Sequence, residues 1–159
     1  MGEGLATAIG WRCCDTDAMI VAREHESIAT IFERRGEPHF RRLETTIVKQ
    51  ILSGNEQSIV ATGGGLPAID GMMTILRNGG TTIYLRASID ELWNRLTVDP
   101  EELEKRPLLY RKGRVGLEQM VSSRERVYNS AEIIIDTDGR SADETISKTR
   151  EILIERKVI

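Results

Sequence analysis

Four short apolar runs, spaced along the chain and separated by longer amphipathic stretches, limit what this sequence can fold into more than any other feature. The runs are Trp11 to Cys14, Ser58 to Ala61, Thr82 to Leu85 and Glu132 to Ile135. Each is a few residues long, lacks clean alternation, and is followed by polar or glycine residues. Continuous apolar runs suit strands buried on both faces, as in a parallel sheet.

The intervening stretches read as helices. Ser27 caps a run containing Ile28, Ile31 and Phe32 that stops at Gly36. A longer helix is predicted from Glu37 to Leu52, with Phe40, Leu43, Ile47, Val48 and Ile51 on one face and Gly54 beyond its end. Helices are also predicted over Ile89 to Leu96 (with Ser88 as cap), Val115 to Tyr128, and Ala142 to Ile154. Strands alternating with helices predict an α/β fold, a three-layer doubly wound parallel sheet. In such sheets ligands bind beyond the carboxyl ends of the strands.

The chain has 159 residues, which suits one domain over 1–159. Its net charge of −3 argues against a nucleic-acid partner, which usually calls for a basic excess. No apolar run approaches the ~20 residues of a membrane span, and the N-terminus shows no secretion signal. A cytoplasmic location is therefore expected. Cys13 and Cys14 are adjacent, match no zinc-ligand spacing, and read as two small apolar strand residues.

The strand ends hold the candidate site. The first strand leaves Asp15-Thr16-Asp17. One carboxylate could hold a metal ion through water and the other could accept a substrate hydroxyl's proton; capping of the next helix is the competing reading. The second strand leaves Thr62-Gly63-Gly64-Gly65, where the backbone can approach a ligand or simply turn. Within Phe40-Arg41-Arg42-Leu43-Glu44 the apolar pair faces the core, so an arginine at that boundary could grip a carboxylate. The charged stretch Glu101 to Arg114 contains Lys105-Arg106-Pro107-Leu108-Leu109 and reads as a lid, about 98–114, or as a surface loop. Arg124 and Tyr128 are four apart and share a helix face. Asp136-Thr137-Asp138-Gly139-Arg140 reads as a turn.

Taken in order, the Asp15-Thr16-Asp17 triplet, Phe40-Arg41-Arg42-Leu43-Glu44, Ala61-Thr62-Gly63-Gly64-Gly65, Arg106-Pro107-Leu108-Leu109 and Arg124 four before Tyr128 resemble shikimate kinase, a P-loop kinase of the nucleoside-monophosphate-kinase type. The resemblance runs from about Leu5 to the C-terminus. It implies transfer of the ATP γ-phosphoryl group to the 3-hydroxyl of shikimate, with Mg²⁺ as cofactor, in aromatic amino acid biosynthesis. It implies that Asp17 binds the shikimate hydroxyls and orients or deprotonates the attacking one. Arg41 and Arg124 would clamp the carboxylate, and the Gly64 backbone would contact a hydroxyl. Asp15 would help hold Mg²⁺ through water, and Arg106 would contact ATP phosphates during transfer. Arg140 falls at the adenine side. The implied partners are shikimate and ATP, with no nucleic acid and no membrane, for a monomeric chain.

The sequence departs from the family in one respect that bears on chemistry. G-x-x-x-x-G-K-[S/T] occurs nowhere, and Gly2-Glu3-Gly4 lacks the lysine and the hydroxyl. The family places a strand, this loop and a helix before the Asp-Thr-Asp strand. Gly2 to Gly10 reads as the remainder of that helix, so the first, central strand and the P-loop are expected to be missing and the 159 residues alone to be inactive. A shifted start site, a fragment, or a catalytically dead shikimate-binding or regulatory domain would each account for this. A related small-metabolite kinase of gluconate type is a further alternative. Asp99, Glu101, Glu102 and Glu104 also crowd the lid before Arg106, which is unfavourable beside a polyphosphate unless they face solvent.

Overall fold

Each strand forms where an apolar run predicts one, and three of the four extend onto the polar residue that follows. The computed structural model of the chain describes residues 1–98 and 107–159. In it β1 is Arg12–Asp15, β2 is Ser58–Ala61, β3 is Ile83–Arg86 and β4 is Ile133–Asp136. β1 pairs with β2 in parallel, with Cys13 opposite Ile59 and Asp15 opposite Ala61. β3 pairs with β4 in parallel, with Arg86 opposite Asp136. The polar ends stay in the ladder because they have partners there. Arg86 grips Asp136 through two bonds of 2.5 and 2.9 Å. Apolar patterning cannot show such a pair, so it ends these strands one residue early.

The helices are α1 (Gly2–Ile9), α2 (Thr16–Glu24), α3 (Ile28–Arg35), α4 (Glu37–Leu52), α5 (Met72–Gly79), α6 (Ile89–Val98), α7 (Pro107–Tyr128) and α8 (Ala142–Glu155). The starts of α3 and α6 follow the predicted capping chemistry. The Ser27 hydroxyl accepts from the Thr30 amide, and Ser88 accepts from Glu91. Ser141 and Glu144 form a reciprocal capping box at the start of α8. Gly36, at φ 76°, separates α3 from α4 in a conformation that a side chain would oppose. The sequence pattern misses α5, which is eight residues long and bounded by Gly71 and Gly80. It also begins α7 eight residues late. That helix carries a break at Gly113, at φ 56° and ψ −150°, which disrupts the apolar period.

Four apolar clusters hold these elements. Leu5, Ile133, Ile135 and Leu153 join α1 and α8 to β4. Ile20, Ile31, Phe40 and Ile47 lock α2, α3 and α4 into a layer beside the end of β1. Val48, Leu66 and Met72 seat the turn Leu66–Ala68 and α5 against α4. Leu96 and Leu117 pack α6 on α7. Each fully buried aliphatic side chain contributes about 1.5–3 kcal/mol by leaving water.

Among the described residues the strands form two separate parallel pairs, β1–β2 and β3–β4, and not one continuous sheet. A cavity of about 780 Å³ lies between the pairs. Consecutive residues of both strands line it, Ile59 and Val60 on one side and Ile83, Tyr84 and Leu85 on the other. Successive side chains of a strand point to opposite faces, so a space that meets all of them runs along the strand edges and not over one face. The same gap explains why the two strands beside it are not buried as their composition predicts. β2 is half-buried throughout, and Leu85 of β3 is 38% exposed.

Candidate active site

β1 ends in a polar triplet because α2 must begin there. Asp15 Oδ1 accepts from the Asp17 and Ala18 amides at 2.9 and 3.0 Å, which caps α2. The capping reading of this triplet therefore holds for Asp15. Its role at a metal was an expectation, and one of its oxygens is committed to the helix. Asp17 falls in the first turn of α2, and its Oδ1 is buried without a hydrogen-bond partner. Burial pushes the Asp17 carboxyl above its ordinary range, Asp15 adds to the rise, and Arg41 opposes it.

Helix α4 supplies the second part. Arg41 sits one residue after the buried Phe40, with its guanidinium 5.4 Å from that ring. Its Nη1 donates to Glu44 Oε2 at 2.5 Å. Its Nε and Nη2 donate to Glu37 Oε1 at 3.1 and 2.8 Å. Glu44 is fully buried, and its Oε1 has no partner among the described residues. Burial pushes the Glu44 carboxyl up, Arg41 pulls it down, and the net shift is upward. A buried acceptor left open is costly unless something donates to it.

The glycine run after β2 closes the site, and its composition follows from space. A Cβ on Gly63 would stand 2.4 Å from Glu44 Oε1 and 3.1 Å from Asp17 Oδ1. The two open carboxylate oxygens thus converge on one point beside the Gly63 backbone. A Cβ on Gly65 would stand 2.4 Å from the Arg41 guanidinium. The Gly63 amide donates to the buried Thr16 hydroxyl at 3.2 Å, which ties the loop to α2. From the other side, Arg124 Nη1 donates to the Gly64 carbonyl at 3.1 Å, and the Tyr128 hydroxyl donates to the same oxygen.

Asp17, Arg41, Gly64 and Arg124 are therefore brought together around three consecutive glycines. Arg106 lies outside the described residues, as do Asp99, Glu101, Glu102 and Glu104. Arg140 is exposed in the turn between β4 and α8. The turn reading of Asp136-Thr137-Asp138-Gly139-Arg140 holds only at Asp138 and Gly139: Asp136 is the last residue of β4 and binds Arg86, Thr137 is buried, and Asp138 Oδ1 accepts from the Ser88 amide. Sequence reasoning gave no role to Glu37 or Glu44. The signal was present in the spacing, since acids four before and three after Arg41 share its helix face.

A model of the family described as shikimate kinase matches residues 1–154. The chain belongs to the shikimate kinase family. Because the match starts at the first residue, it lends no support to the expected loss of an N-terminal segment. A shikimate kinase of Geobacter metallireducens is 39% identical over 150 residues, covering 93% of this chain and 80% of that protein. A shikimate kinase of Persephonella marina is 33% identical, covering 93% of this chain and 87% of that protein. Among solved structures, Acinetobacter baumannii shikimate kinase in complex with shikimate matches with a TM-score of 0.85 at 25% identity, over 99% of this chain and 87% of that one. The Bacteroides thetaiotaomicron enzyme matches with a TM-score of 0.83 at 26% identity, over 96% and 89%. These matches place the chain in the α/β P-loop kinase fold. No helix among the described residues is long and apolar enough to cross a membrane.

Proposed function

We propose that this chain binds shikimate as the acceptor in ATP-dependent phosphoryl transfer, with the γ-phosphoryl group passing to the 3-hydroxyl. The observation that carries this reading is the convergence of two unpartnered carboxylate oxygens, Asp17 Oδ1 and Glu44 Oε1, beside a glycine run flanked by Arg41 and Arg124. Such a site suits a small molecule with hydroxyl donors and a carboxylate. Asp17 accepts the hydrogen bond of the attacking hydroxyl and takes its proton as the new P–O bond forms. Its raised pKa suits that exchange. Arg41 and Arg124 hold the carboxylate, and the glycine run brings backbone within reach of the ring. Phosphoryl transfer depends mainly on such positioning and on charge stabilisation.

The donor side is supplied only in part. No cluster of three or more acids, histidines or cysteines that could hold a metal occurs among the described residues. Magnesium is commonly held by one or two carboxylates together with substrate phosphates. Asp15 would hold it through water, and the ion would neutralise charge on the phosphates. Arg106 would contact those phosphates, and Arg140 would lie on the adenine side. The sequence contains no lysine-bearing glycine loop. The edges of β2 and β3 that face the cavity carry no strand partner among the described residues. A second reading is a shikimate-binding domain without catalysis.

Calorimetric titration with shikimate and, separately, with Mg-ATP tests both readings. Shikimate binding is expected in either case. ATP binding with turnover of ~1–100 per second would show that the phosphate site is complete. Absence of shikimate binding would overturn the acceptor-site proposal.

A further inference from the structure

We propose that Tyr128 is a positioning residue of the acceptor site: it fixes the Gly64 carbonyl and, through it, the aim of Arg124. This rests on the reading that the site binds shikimate. Gly64 lies on the loop after β2, whereas Tyr128 closes α7 beside β3. β2 and β3 are not hydrogen-bonded to each other. The Tyr128 contact therefore spans the gap between the two strand pairs at their ligand end.

Tyr128 is itself held from below. Its ring packs on Tyr84 of β3, with centroids 5.0 Å apart and planes tilted by 51°. Such tilted aromatic contacts are favourable in their own right. Tyr84 and Tyr128 both line the 780 Å³ cavity, so the stack stands at the mouth of the gap. From there the Tyr128 hydroxyl donates to the Gly64 carbonyl.

The consequence for Arg124 follows from donor and acceptor counts. A carbonyl oxygen has two lone pairs, and a guanidinium has five N–H groups in a fixed fork. Arg124 places Nη1 on the Gly64 oxygen at 3.1 Å, and Tyr128 takes the other acceptor position. Among the described residues Arg124 makes this one contact, which leaves the rest of its fork for an anion. Arg124 and Tyr128 are four residues apart on α7, so one helix face delivers both donors to one oxygen. With Tyr128 removed, the carbonyl is free to turn, and the reference point that orients Arg124 is lost.

Tyr128→Phe is the informative variant, because it keeps the ring on Tyr84 and removes only the donor. In the ligand-free protein, hydrogen exchange of the amides at 63–65 should rise several-fold while exchange elsewhere is unchanged. Exchange that stays the same at 63–65, or rises uniformly along the chain, would overturn the proposal. In titrations, shikimate affinity should fall about five-fold, the worth of one hydrogen bond. Affinity for shikimate methyl ester, which lacks the carboxylate, should change little. The double variant Arg124→Ala/Tyr128→Phe should bind no more weakly than Arg124→Ala alone. Additive losses would show that Tyr128 acts independently of Arg124 and would overturn the proposal. A wild-type chain that fails to bind shikimate would overturn the functional reading, and the ligand-free exchange result would still decide whether Tyr128 holds the loop.

Discussion

Arg41 and Glu44 lie one turn apart on α4, and their 2.5 Å contact leaves the second oxygen of a fully buried carboxylate open toward the glycine run. The pair therefore has two tasks. It keeps a buried acid compensated, and it presents an acceptor and a guanidinium on the same side.

Replacing Arg41 tests both tasks. Arg41→Ala should weaken shikimate binding by ~2–5 kcal/mol, since one partner of a charge-paired contact is lost. It should also destabilise the fold by ~3–5 kcal/mol, because Glu44 is left buried and unpaired. The double variant Arg41→Met/Glu44→Gln should recover much of the stability and none of the binding. Melting curves and calorimetry separate the two effects.

Glu37 competes with the ligand for the same guanidinium. It accepts from Nε and Nη2 of Arg41 and is 57% exposed, so it can be displaced. Glu37→Gln should tighten shikimate binding roughly two- to five-fold, in line with the ~0.3–1 kcal/mol worth of an exposed ion pair. Weaker binding in this variant would mean that Glu37 aims Arg41 and does not compete for it.

Asp17 makes stability depend on pH in a definite direction. Its folded pKa is raised, so between the ordinary Asp value of ~3.9 and the folded value the native chain holds a proton that the unfolded chain has released. Stability falls as pH rises through that window, and Glu44 acts in the same sense. Asp17→Asn should melt higher than wild type at pH 7, with the difference shrinking toward pH 4. It should lose shikimate binding at both.

Gly63 is a position where even a methyl group is excluded. Gly63→Ala would press on Glu44 Oε1, which cannot retreat because Arg41 holds its carboxylate. A loss of ~1–3 kcal/mol in stability is expected, as for other overpacked sites. Shikimate binding should be lost with it. A fully stable Gly63→Ala protein would show that the Glu44 side chain has room to move.

Much of this arrangement was legible in the residues alone. α4 follows the predicted Glu37 to Leu52 span, and Ser27 and Ser88 cap the helices that begin after them. These features are local, set by periodicity and by one side chain reaching one amide. Which strand pairs with which is not written in the runs themselves, because pairing depends on which strands lie side by side. The sequence alone assigns Glu44 no role, since burial of an acid is decided by tertiary packing. α5 was missed because eight residues between glycines give too short a pattern. The placements of Asp17, Arg41, Gly64 and Arg124 came from ordered motifs. Their convergence on Gly63–Gly65 is a property of the fold.

The gap between β2 and β3 also bears on how the protein behaves in company. A sheet edge is a row of unsatisfied backbone donors and acceptors, and here two such edges face one another across an apolar space. Any extended segment that reaches them finds hydrogen bonds ready on both sides. The amides of β2 and β3 that face this space are therefore expected to exchange with solvent faster than those paired in the β1–β2 and β3–β4 ladders.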